Sequence, residues 1–293
     1  MNNKLLILNL GVDSENTSLA FTQKWINDIS INYDAVDVLT MKVGSTYQLN
    51  KNVNLFFIND QNTNYTKIYQ LRKLNKLTRK LIKNNNYTHC FAHMAPMQHL
   101  VAKFYLIQKN IKTTLWFTHS GPKFGIKWLI LWFSSLLANN IVTASKHSFP
   151  FRFKKVKSIG HGIDFDNFFI ERKTFQLKNI SILSRVSKSK NIENTIDNII
   201  KCKNFENINI DVIGGTLNID DESYLNELLI KYKNFKNINF LGKQPHAKLP
   251  ELLKKYDVNI NNAQKGFFDK AVLETCAAGT VSYTHLTLPT IFA

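Results

Sequence analysis

The sequence predicts an α/β chain of two doubly wound domains, on three observations. Short apolar runs rich in β-forming residues alternate with longer segments of helical period along nearly the whole length. The order β-α-β-α calls for parallel strands covered on both faces. A polar, aperiodic stretch over 171–179 interrupts that alternation, in a chain whose 293 residues suit about two domains.

In the first half the expected strands are 5–10, 35–39, 54–58, 88–92, 114–117, 141–144 and 156–159. The expected helices are 19–29, 67–83, 97–109 and 127–139. The second half repeats the logic, with strands 180–183, 208–213, 238–241 and 258–261 and helices 192–201, 222–233, 249–255 and 270–278. The stretches 203–208 and 233–238 look alike and read as two similar helix-to-strand connections, too few for a solenoid. The expected domains are 1–172 and 173–280, each Rossmann-like, facing each other across a cleft, the second incomplete. Residues 281–293 resemble translated adapter DNA from a sequencing library and are set aside as a non-native tail.

Composition narrows the classes. With 44% hydrophobic and 20% charged residues the chain is globular. Its three cysteines, Cys90, Cys202 and Cys276, are widely spaced and suit free thiols in a reducing compartment. Lys4 is followed by only four apolar residues before Asn9, too few for a signal peptide. The net charge of +17 is lopsided: residues 1–160 hold 21 Lys+Arg against 6 Asp+Glu. Between Asp60 and Asp164 there is no acid and 17 bases. An AT-rich coding sequence would raise lysine throughout but would not empty one half of acids. That half is expected to face something anionic, a membrane surface or nucleic acid.

Ligands of doubly wound sheets bind beyond the carboxyl ends of strands. Three such ends in the second half carry polar groups: Arg185 after 180–183, Gly214 after 208–213, and the loop 264–268 after 258–261. Arg185 and Lys190 offer a fork and a point charge to a diphosphate, next to a helix start near Asn191. A solvated basic turn is the alternative. Glu274 lies in the otherwise apolar helix 271–278, where a buried carboxylate needs partners. Ribose hydroxyls or a neighbouring lysine would both serve. Asp269 suits either a helix cap or a sugar contact, and Gly266 beside Phe267 lets backbone approach a ligand closely.

The runs Ser184–Glu193 and Gly266–Glu274 resemble the donor-binding motifs of retaining glycosyltransferases of the GT-B fold, family 4. The resemblance implies that Arg185 and Lys190 bind the donor diphosphate and that Glu274 contacts the donor. The family's first glutamate is replaced by Gly266, which places this chain nearer a subset with the pattern Gly-x-x-Asp-Lys-x-x-Leu-Glu and leaves the sugar-ring contact open. The run Leu241–Leu252 also resembles the family's strand-glycine-loop.

In the first half, His119 ends a strand in Trp116–Gly121, where the family places a histidine near the donor sugar; it is the expected catalytic residue. His93 follows the preceding strand and is a further cleft candidate. Gly160, His161 and Asp164 resemble a family element at the interdomain cleft. Asp164–Asp166 mimics the Asp-x-Asp of another glycosyltransferase fold, but its place in the linker implies no metal. His89, Cys90, His93 and His99 invite a metal reading, against which strand alternation sends His89 and Cys90 to opposite faces. The segment 124–138 is apolar nearly all round and reads either as a core helix or as one dipping a Trp128/Trp132 edge into a membrane interface.

The expected activity is transfer of a sugar from a nucleoside diphosphate sugar to a glycolipid or glycan acceptor, with retention implied by the resemblance. No cofactor and no metal are expected. The partners are the donor, the acceptor and an anionic membrane surface, with the protein peripheral on the cytoplasmic face. Nucleic-acid binding and a non-catalytic GT-B relative are the alternatives, and no zinc, helix-turn-helix or RNP signature supports specific nucleic-acid recognition.

Overall fold

A computed structural model describes residues 3–14, 21–46, 49–60, 62–63, 65–119, 121, 124–171, 176–263 and 269–284. The chain divides into two compact units, Met1–Gly160 and His161–Ala293.

The first unit is a seven-stranded parallel sheet. Its strands are β1 (Lys4–Val12), β2 (Ala35–Val43), β3 (Val53–Asn59), β4 (His89–His93), β5 (Lys112–Trp116), β6 (Asn140–Thr143) and β7 (Val156–Ser158). They lie in the order β3-β2-β1-β4-β5-β6-β7. Helices α1 (Phe21–Ser30), α2 (Lys67–Asn84), α3 (Pro96–Gln108) and α4 (Ile126–Leu137) connect them. Strand alternation splits β1 between two cores. Leu6 and Leu8 join Leu74, Leu81 and Ile82 of α2, Leu106 of α3 and Leu131 of α4. Leu5 and Ile7 join Ile26 of α1 with Val36 and Val38 of β2. Helix α2 buries Leu74, Thr78, Leu81 and Ile82, an i, i+4, i+7, i+8 stripe, and Thr66 caps it by accepting from the N–H of Tyr69.

The second unit is a five-stranded parallel sheet of β8 (Asn179–Leu183), β9 (Asn209–Ile213), β10 (Ile238–Gly242), β11 (Val258–Asn261) and β12 (Val281–Thr284). The order is β10-β9-β8-β11-β12. Its helices are α5 (Phe165–Phe168), α6 (Ile192–Ile200), α7 (Ile219–Tyr232), α8 (Leu249–Leu253) and α9 (Lys270–Ala277). Ile180, Ile182, Ile210 and Val212 pack on Ile192, Ile196 and Ile199 of α6 and on Tyr224, Leu228 and Tyr232 of α7. Leu183 and Ile213 join the opposite core with Leu253, Tyr256 and Ala277.

Three placements differ from the sequence expectation. Residues 161–171 pack with the second unit, ahead of the expected boundary at 172/173. The reason is Phe168, which is buried among Leu183, Leu253, Tyr256 and Ala277, while the N–H of Ile170 donates to the carbonyl of Ala277. Helix α7 starts at Ile219 rather than near 222, because the Asn218 side chain accepts from the N–H of Asp221 and caps it. Residues 281–284, set aside as tail, pair in parallel with β11. Val281, Tyr283 and Thr284 favour strands, and an open edge such as that of β11 accepts a run of this kind.

The apolar segment 124–138 also resolves. Trp128 and Trp132 are half-buried and stack at 6.3 Å, with Trp128 edge-on to Phe151 at 5.5 Å. The outward residues of α4 are Ile126, Lys127, Leu129, Phe133, Leu136 and Leu137, so the tryptophan pair is not its exposed edge. Among the described residues no helix is long and apolar enough to cross a membrane.

Candidate functional site

The strand order of the second unit reverses between β8 and β11, and a doubly wound sheet opens its ligand crevice at the carboxyl end of such a point. The loop leaving β8 carries Arg185 on its surface, with no side-chain hydrogen bond or ion pair among the described residues. A short turn over Lys188–Lys190 then leads into α6 through Asn191, whose φ of 49° is left-handed. Asn191 Nδ2 donates to the carbonyl of Asn262 at 2.9 Å, which pins this turn to the end of β11. Tyr224 Oη meets the first-turn N–H of Glu193 at 3.2 Å, so one group at the α6 terminus already has a protein partner.

Lys190 is buried, and its Nζ lies 2.6 Å from both carboxylate oxygens of Asp269. Asn261 Nδ2, at the end of β11, donates to Asp269 Oδ2 at 2.7 Å. Asp269 stands at the start of α9 but its side chain makes no cap hydrogen bond. Of the two roles read from sequence for Asp269, the side-chain cap is not made: the carboxylate turns to the buried ammonium, whose charge would otherwise stand uncompensated.

Glu274 is buried on α9. His246 Nε2 lies 2.9 Å and Lys270 Nζ 3.1 Å from its Oε1. Burial alone would raise this carboxyl, but the His246 hydrogen bond and the Lys270 charge outweigh it and hold the group below the usual carboxylate range. Protein groups thus supply the partners that the sequence reading sought from ribose or lysine. Both contacts fall on Oε1. His246 also packs beside Phe168, with ring centroids 5.5 Å apart.

Gly214 laces three strand ends together. The N–H of Ser184 donates to Ile213, that of Val186 to Gly215, and that of Gly214 to Gly242. At its φ of +151° a Cβ would stand 1.9 Å from the carbonyl oxygen of Ser184. The glycine is required by backbone contact and fixes the loop that presents Arg185. Gly266 and Phe267 lie outside the described residues.

In the first unit, His119 is exposed in the loop after β5, edge-on to Phe117 at 6.2 Å. His93, at the end of β4, is half-buried in a ring cluster: Trp25 at 5.0 Å, Phe21 at 6.0 Å and Trp116 stacked at 6.3 Å. Gly160 turns with φ +80° after β7. In the second unit, His161 is half-buried, and Asp164 precedes α5 and accepts from Asn167 Nδ2. The metal reading of the histidines meets other partners. His89 Nε2 lies 2.9 Å from Thr114 Oγ1, and His99 bridges Ser134 Oγ at 2.8 Å and Thr113 Oγ1 at 3.1 Å. Among the described residues no cluster of three or more His, Cys, Asp or Glu is arranged to hold a metal.

Sequence reasoning missed His246 and Asn261, and weighed a lysine beside Glu274 without naming Lys270. Lys270 carried a signal, since it stands four residues before Glu274 on one helix face. His246 and Asn261 reach the site only through the sheet.

Residues 166–284 match the family model described as glycosyl transferases group 1. No curated protein matches the chain. Among solved structures, Anabaena HepE, in complex with UDP and glucose, aligns with a TM-score of 0.70 at 15% identity, over 96% of this chain and 80% of that one. Sucrose-phosphate synthase from Thermosynechococcus elongatus aligns with a TM-score of 0.74 at 12% identity, over 96% and 81%. The lipopolysaccharide outer core galactosyltransferase WaaB, in its apo form, aligns with a TM-score of 0.64 at 11% identity, over 96% and 80%. Two parallel doubly wound sheets in this order give the chain the α/β fold of the GT-B glycosyltransferases, and most of its second unit is similar to the glycosyl transferases group 1 family.

Proposed function

We propose that the chain moves a sugar from a nucleoside diphosphate sugar to a hydroxyl of a glycolipid or glycan, with retention of configuration. The observation that carries the donor half is the arrangement at the carboxyl ends of β8 and β11. An exposed Arg185 and a buried Lys190 share one loop, and Glu274 is held ionised on the helix that follows β11. The ligands in the Anabaena HepE complexes, UDP and UDP-glucose, have the diphosphate and ribose chemistry these groups suit.

In this reading Arg185 forks onto the diphosphate, and Lys190, oriented by Asp269, shares its ammonium with it. Both neutralise charge that grows on the leaving group as the sugar departs. Glu274 turns Oε2 to the ribose hydroxyls while His246 and Lys270 hold Oε1. The role of His119 in positioning the transferred sugar, like retention, rests on the family resemblance alone.

The test is calorimetric titration of UDP, ADP and GDP into wild type and Arg185→Ala. One charged hydrogen-bonding group contributes about 1.5–3 kcal/mol, so the variant should bind its nucleotide roughly 10- to 150-fold more weakly. Equal affinities would remove the donor site.

A further inference from the structure

Helices α3 and α4 bury polar side chains beside the apolar Ala102, Leu106 and Leu131, and turn large apolar residues outward. Helix α4 turns Ser134 and Ser135 into the protein, both 0% exposed, and shows solvent Ile126, Leu129, Phe133, Leu136 and Leu137, with Ile126 at 74%. Helix α3 buries Gln98, His99 and Lys103 while Phe104 and Ile107 stand 67% and 57% exposed. The buried polar groups are satisfied among themselves. His99 meets Ser134 and Thr113, Lys103 Nζ donates to Asn139 Oδ1 at 3.0 Å, and Ser135 Oγ donates to the Leu131 carbonyl at 2.6 Å. The two helices pack side by side, so their outward stripes form one apolar face. Helix α6 of the second unit has the ordinary sense, burying Ile192, Ile196 and Ile199 and exposing Glu193, Asn194 and Asn198.

We propose that the α3–α4 face lies in the surface of a bilayer carrying anionic lipid. Charge selects this occupant. Helix α2, packed beside α3, exposes Arg72, Lys76, Arg79, Lys80 and Lys83, and no acid occurs between Asp60 and Asp164. A second copy would bring the same cations against these, whereas anionic headgroups neutralise them. RNA would satisfy the cations but leave Phe104, Leu129 and Phe133 in water, while a bilayer interface takes both. At 12 residues α4 is too short to span, so it lies in the plane of the interface. The inference is independent of the sugar-transfer reading.

Flotation of the full chain with phosphatidylcholine vesicles, with and without phosphatidylglycerol, tests it. Binding is expected to the mixed vesicles and to be about tenfold weaker without phosphatidylglycerol. Leu129→Gln with Phe133→Gln, both at exposed positions, should weaken it by about tenfold with circular dichroism unchanged. In the wild type, brominated lipid should quench tryptophan emission, and Trp128→Phe with Trp132→Phe should remove most of that quenching. No binding to the mixed vesicles would overturn the proposal. So would unchanged binding by the Gln variant, tighter binding to single-stranded RNA at matched salt, or a wild-type dimer that the Gln variant abolishes.

Discussion

The two sheets follow one plan but differ in where they pair buried charge: the first unit does so between Lys4 and Asp37, near the starts of β1 and β2 and away from the strands' carboxyl ends. The first unit buries a histidine and a lysine without a carboxylate, satisfied by Ser134, Thr113 and Asn139, under helices with an apolar exterior. The second unit pairs its buried charges with opposite ones, Lys190 with Asp269 and Glu274 with Lys270 and His246, all beside strand ends. A buried cation held by neutral oxygens fixes packing and offers little to an anionic ligand. An ion pair at a strand end keeps an ammonium oriented where a ligand can share it. The contrast explains why the donor chemistry is assigned to the second unit although most of the positive charge resides in the first.

The largest expected effect strikes the second unit alone. Gly214→Ala would drive a Cβ to 1.9 Å from the Ser184 carbonyl, and should destabilise that unit by about 3 kcal/mol or more. Denaturant unfolding followed by nucleotide binding would show it, and a wild-type curve would mean that the three strand ends are not laced as described.

Acid separates the units next. Burial first, then the Lys103 and Lys155 charges, push His99 down to about 3. The unfolded chain therefore takes up this proton near pH 6.5 while the folded chain refuses it. The stability from neutral His99 is complete above pH 6.5 and falls as pH drops toward 3, by up to about 1.4 kcal/mol per pH unit. Glu274 is depressed, so its contribution is present above the unfolded carboxylate value and is lost only as pH falls through the lower folded one. Unfolding midpoints between pH 7 and 4 should decline less steeply in His99→Gln, whereas Glu274→Gln should alter the profile only in the carboxylate range. Parallel profiles for His99→Gln and wild type would break the comparison.

The smallest effect falls on the second unit's surface. Lys231 bridges Glu193 and Asp197 at 2.7 Å each, but its side chain is 41% exposed. Lys231→Ala should cost less than about 1 kcal/mol in denaturant unfolding, and a larger loss would show that this exposed trio acts as a network.

Period and composition made the β-α alternation legible, since a parallel sheet buried on both faces must read as short apolar runs. Phe168 was not legible as part of the second unit, because nothing local tells which core takes an aromatic in a linker. The candidate site residues Arg185, Lys190, Asp269 and Glu274 could be named, but not their pairing. Lys190 and Asp269 are 79 residues apart and meet only because β11 docks beside β8. The orientation of α4 was hidden for another reason. In a run of Trp, Leu, Ile and Phe, the polar markers of orientation are Lys127, which is exposed, and two serines, which are buried against their polarity.

The insertion of β11 beside β8 bears on synthesis. Strands β8, β9 and β10 can assemble as soon as they leave the ribosome, but β8 then keeps one bare flank until β11, some 75 residues later in the chain, is delivered. During that interval an unpaired central strand is available to any extended peptide, and a chaperone that shields such flanks would have its natural client in the nascent chain rather than in the finished protein.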